Sequence, residues 1–115
     1  MMKQQYRQMQ ALMRQAEAEM RRAGLWSDMP PSATAMQSIM PFMYDTLRFH
    51  EWLQWVFLPR TQALMDAGRA LPANCHIHPL AEHELGKLEV ETGTLLAIVL
   101  AIDNTLNQTE GNTPE

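Results

Sequence analysis

Polar and apolar positions alternate along this chain with the period of a helix, and they do so in several separate blocks. From Met2 to Ala23 the apolar residues Met2, Tyr6, Met9, Met13, Ala16, Met20 and Ala23 step by four and three. That spacing is a heptad seam. Gln and Arg fill the opposite side, and Gly24 supplies a residue that tolerates the left-handed turn closing a helix. The pattern predicts a helix over residues 3–23.

A second block runs from Thr46 to Leu58 and predicts a helix over 46–67. His50, Glu51 and Gln54 fall within about 100° of one another on a helical projection. Phe49, Trp52, Leu53, Trp55, Val56 and Phe57 occupy most of the remaining circumference. A helix so apolar all round belongs at the centre of its domain. Asp45 is the expected N-cap, with Arg48 and Glu51 placed to pair three residues apart. Pro59 cannot donate a hydrogen bond and crowds the carbonyl of Trp55. A kink or tight restart is therefore expected there, before the pattern continues to Gly68.

Two further helices are predicted over 79–86 and 93–107. The first opens on Pro79, a residue suited to a first turn. The second has Thr92 as its expected cap and Leu95, Leu96, Val99, Ile102 and Leu106 on its inner face. Between the first two helices, residues 25–40 form a long connection holding Pro30-Pro31. Trp26, Met36, Ile39 and Met40 are its expected apolar anchors, with a single helical turn near Met36–Met40. The fold class is all-α: a compact bundle of about four helices around a proline-kinked central helix. Residues 1–107 make one domain and 108–115 a flexible tail.

Composition adds constraints. The 115 residues are 46% apolar and 19% charged, as expected of one soluble domain with a real core. A single cysteine, Cys75, excludes an internal disulfide and suits a reducing compartment. The opening residues do not resemble a secretory signal. No apolar run reaches the roughly 20 residues of a membrane span. Cytoplasmic residence and no membrane contact are the expectations.

The net charge of −4 is uneven: residues 1–23 carry five basic and two acidic side chains, and the remainder is strongly acidic. Lys3, Arg7, Arg14 and Arg21 draw a basic line along the first helix. The acidic bulk argues against RNA contact. The methionine seam predicts instead a homodimer or a protein partner through the first helix, because methionine adapts to binding surfaces.

Candidate chemistry is sparse. Cys75, His76, His78 and His83 lack the spacing of a tetrahedral metal site. No third group is evident to orient a Cys–His nucleophile, and no glycine-rich phosphate loop occurs. No catalytic, cofactor or metal residue is assigned. The one constellation suited to specific contact is the polar stripe of His50, Glu51 and Gln54, flanked by Asp45 and Arg60. It is an interaction patch or, alternatively, the site of a small enzyme.

The residues Pro41-Phe42, Asp45-Thr46-Leu47, Glu51-Trp52-Leu53-Gln54-Trp55-Val56 and Pro59-Arg60 resemble the YqcC-like family of small uncharacterised bacterial proteins. Trp26, Leu71-Pro72, Ile77, Pro79, Glu82 and Asp103 extend the resemblance over nearly the whole chain. It implies a compact helical bundle without an established activity. Members encoded beside a tRNA pseudouridine synthase imply an accessory role in that modification. The expected function is thus a non-enzymatic protein-interaction module. The alternatives are a tRNA-modification accessory factor, or an enzyme using Asp45, His50, Glu51 and Arg60.

Overall fold

The computed structural model describes residues 2–108, and the tail expected from 108 onward lies almost wholly outside them. The heptad seam forms helix α1 (Met2–Arg22). Gly24, at φ 75°, closes it. The Leu25 N–H bonds the Met20 carbonyl at 2.8 Å and the Gly24 N–H that of Arg21 at 3.2 Å, the double bond of a Schellman ending. Met9, Ala16 and Met20 are fully buried within this chain's own core.

The central helix is continuous from Phe49 to Asp66 in three pieces: α2 (Phe49–Trp52), a π-helical stretch (Leu53–Phe57) and α3 (Leu58–Asp66). The Leu58 N–H reaches back five residues to the Leu53 carbonyl. This wide turn sits directly before Pro59, where the ordinary four-residue bond to Trp55 has no donor. The proline is thus met by a local widening within a continuous helix. Gly68, at φ 69°, ends the helix, with the Arg69 N–H on the Leu64 carbonyl at 2.9 Å.

The start of the central helix corrects the sequence reading. Arg48, not Asp45, is the N-cap, and the Glu51 carboxylate takes the Arg48 N–H at 2.7 Å. Glu51 therefore serves the Arg48 backbone. Asp45 accepts instead from the Ser38 hydroxyl. The preceding turn explains the delay. Phe42 and Met43 have φ of 57° and 50° within a short 3-10 turn (Pro41–Met43), and Leu47 closes it on the Met43 carbonyl at 2.8 Å.

Helices α4 (His78–Leu85) and α5 (Gly93–Leu106) complete the bundle. α5 lies antiparallel to α1. The Gln5 side chain donates to the Thr105 carbonyl at 3.0 Å near one end, and Arg22 to that of Glu91 at 3.0 Å near the other. All five residues expected on the inner face of α5 lie in or against the core, joined by Ile98. Thr92 stands at the N-cap position without a side-chain cap; the Glu91 carboxylate takes the Gly93 N–H at 2.8 Å. The chain is all-α, a four-helix globule with no strand among the described residues.

The long connection is anchored by fewer residues than expected. Leu25, Trp26 and Met36 pack on the core. Ile39 is 95% exposed and Met40 38% exposed, so neither is an anchor. The helical turn is a 3-10 turn at Ala35–Gln37, slightly earlier than the sequence suggested.

Candidate functional site

Two indoles on the central helix have different surroundings. Trp52 is buried among Phe42, Phe49 and Phe57, with ring centroids 4.9, 5.9 and 5.4 Å away. Trp55 is half-buried and lines a groove of about 570 Å³ between α1, residues 26–28 and the central helix. Gln10, Met13 and Arg14 form one wall of that groove, and Trp26 stands at its edge. The Arg21 guanidinium lies 5.1 Å above the Trp26 ring and pairs with Glu17 at 2.9 Å.

Gln54 closes the groove from below. Its side chain is 5% exposed. The amide nitrogen donates to the Ser27 carbonyl at 2.6 Å, and the amide oxygen accepts from the Ser27 N–H at 2.9 Å. A backbone segment in the long connection is thereby paired to a side chain as it would be to a strand. Replacing Gln54 with alanine leaves both Ser27 groups without that partner and is expected to cost about 1–2 kcal/mol. Urea unfolding monitored by circular dichroism measures it, and a cost near zero would contradict the pairing.

The other polar candidates do not converge on Gln54. His50 lines a separate depression with Arg48, Glu84 and Lys87. Arg60 is exposed at the mouth of a third cavity, beside Phe42, Trp52 and Phe57. Asp45 remains with Ser38. The five residues are therefore distributed over distinct surfaces.

Burial pushes the His50 imidazole below its ordinary pKa; Glu51 opposes that shift and Arg48 adds to it. Folding therefore favours the neutral ring. The stability this contributes is present above the unfolded value near 6.5 and is lost as pH falls below it. Between pH 7 and pH 5, wild-type stability is expected to fall more steeply than that of His50→Gln. Urea midpoints at each pH measure the difference, and parallel curves would contradict it.

Asp103 on α5 and Asn107 just past its end carry structure that the sequence alone did not reveal. Asp103 is 5% exposed, and its two oxygens accept from the Ile77 and His78 N–H groups at 2.9 and 2.8 Å. These donors lie at the start of α4, where helix N–H groups have no partner within the helix. One turn on, Asn107 brackets Cys75, accepting from its N–H at 2.7 Å and donating to its carbonyl at 2.8 Å. The Cys75 thiol is half-buried, and burial followed by the Asp103 charge pushes its pKa up. That shift opposes the thiolate a nucleophile requires. His76 is exposed. Among the described residues, no three His, Cys, Asp or Glu side chains are grouped to hold a metal ion. No described helix is long and apolar enough to cross a membrane.

These features define a small all-helical protein whose loops are fastened by buried amide and carboxylate side chains. The family model DUF446, described as tRNA pseudouridine synthase C, matches residues 8–105, and the chain belongs to that family. An uncharacterised protein of Haemophilus influenzae is 41% identical over 96 residues, covering 84% of this chain and 90% of that protein. The uncharacterised protein YqcC of Escherichia coli K12 is 33% identical over 96 residues, 84% of each chain. A protein named tRNA pseudouridine synthase C from Pectobacterium carotovorum is 48% identical over 56 residues. That match covers 49% of this chain but only 15% of the longer protein. No solved structure matches.

Proposed function

We propose that the chain is a non-catalytic interaction module whose partner is a tRNA pseudouridine synthase. The observation carrying this reading is the 56-residue match that forms only 15% of a longer protein bearing that name. A segment found both alone and within a longer chain is suited to contacting the rest of that chain when separate. Similarity to so small a part of a synthase gives no ground for assigning its chemistry to this protein. Asp45, His50 and Arg60 lie on separate surfaces, so the proposed contact is sought elsewhere. With a partner that acts on tRNA, the proposed module would work in the cytoplasm.

The surface we assign to the partner is the α1 groove. Met13 and Trp55 are half-buried there, Arg14 is exposed, and Trp26 stands beside them. Tryptophan and arginine at a concave site are the residue types that dominate interface energetics. The test is calorimetric titration of the full chain into a purified tRNA pseudouridine synthase C. A 1:1 complex is expected, weakened about tenfold or more by Trp55→Ala, with helicity kept. No heat and no comigration at tens of micromolar would overturn the reading.

A second reading rests on Lys3, Arg7 and Arg14, which are exposed and, among the described residues, have no carboxylate within ion-pairing distance. It has the module touch tRNA directly. Salt-sensitive tRNA binding, lost when Arg7 and Arg14 become glutamate, would favour it.

A further inference from the structure

The cavity beside Arg60 is unlike the other two depressions. It encloses about 380 Å³ between the 41–44 turn, the central helix and residues 72–77, a size within the range of small-molecule sites. Phe42, Trp52 and Phe57 supply aromatic walls, with Trp52 at the centre of the set. Arg60, Asn74 and His76 are exposed at the rim, and the buried Thr61 is a polar member of the lining. Among the described residues, no carboxylate lies within ion-pairing distance of Arg60. The buried Asp103 carboxylate behind this loop is already engaged by the Ile77 and His78 N–H groups.

The backbone beside the cavity turns left-handed at two positions. Phe42 and Asn74 both have φ of 57°, and both line it. Asparagine tolerates the left-handed region, but for a bulky side chain such as Phe42 it is a genuine outlier. At Phe42 that conformation accompanies an edge-on packing of its ring against Trp52. Strain of this kind collects where side chains must be aimed at a ligand.

We propose that this cavity binds a small carboxylate with a flat apolar body, its ring among Phe42, Trp52 and Phe57 and its carboxylate on Arg60. A guanidinium presents paired donors that match a carboxylate, and Arg60 has no carboxylate among the described residues for the ligand to displace. The site lies apart from the α1 groove and does not depend on the synthase reading.

The probes are 3-phenylpropionate and its uncharged amide, titrated into the ¹⁵N-labelled full chain. Saturable shifts are expected at the Trp52 indole N–H and at the Cys75–Ile77 amides. The amide should bind about tenfold more weakly than the acid, reflecting one charge-assisted contact. Arg60→Gln should reduce acid binding by the same factor and leave amide binding unchanged. Arg60 is exposed, so this variant is expected to keep the wild-type spectrum elsewhere. Absence of saturable shifts with either probe would overturn the proposal. Equal affinity for acid and amide, or no effect of Arg60→Gln, would overturn it too.

Discussion

Replacing Trp52 with alanine is expected to destabilise the protein by about 4 kcal/mol, near the upper end for a single core substitution. The indole is 9% exposed and contacts three other aromatic rings drawn from the 41–44 turn and the central helix. Removing it leaves Phe42 without its packing partner. The left-handed backbone at Phe42 then loses a contact that helps hold it. Because the cavity at Arg60 opens beside the same ring, the space left behind joins an existing opening instead of closing. A domain of this size has about 5–15 kcal/mol in total, so the loss is a large share of it and the urea midpoint should fall markedly. Equilibrium urea denaturation followed by fluorescence and circular dichroism measures the loss. A cost below about 1 kcal/mol would mean that the ring is not a core member.

Asp103→Ala is expected to cost about 3 kcal/mol, because two backbone donors lose their acceptor together. Those donors, at Ile77 and His78, sit at the beginning of α4, where a carboxylate also complements the helix dipole. Pro79 supplies no N–H of its own, so these two groups are most of the first turn's free donors. Asp103→Asn adds a separate readout. It removes the charge that helps push the Cys75 thiol upward while leaving its burial in place. The Cys75 pKa should therefore fall in Asp103→Asn yet stay above that of a free thiol. Ultraviolet titration of the thiolate measures it, and an unchanged value would contradict the assigned cause.

Much of the architecture is legible in the sequence because it rests on periodicity and residue size. The Met9, Ala16 and Met20 seam needs no knowledge of its partner to be recognised as an inner face. Phe49, Leu53, Val56 and Phe57 likewise identify the central helix. What escapes is pairing across long separations. Gln54 belongs to a polar stripe by sequence, and nothing in its neighbours reveals that Ser27 will bury and bracket it. Asp103 lies 25 residues from His78, on a helix whose apolar run draws attention elsewhere. Its carboxylate on an otherwise inward face is the one signal that could have singled it out.

Local backbone departures are the second gap. Asp45 has the chemistry of a helix cap, but the left-handed residues Phe42 and Met43 redirect the chain and move the helix start to Phe49. Neither is a glycine, so composition gives no warning. Ile39 and Met40, which precede that turn, are exposed and anchor nothing. The wide turn at Leu53–Phe57 is likewise a response to Pro59 that residue type alone does not distinguish from a kink.

Side chains on or at the end of helices fasten the connections and the start of α4: Gln54 holds Ser27, Asp103 holds Ile77 and His78, and Asn107 holds Cys75. Native-state amide hydrogen exchange at those four positions tests this most directly. Protection approaching that of the neighbouring helices is the predicted result. Exchange at the rate of an unstructured peptide would show that the loops are unfastened, and the structural account would fail.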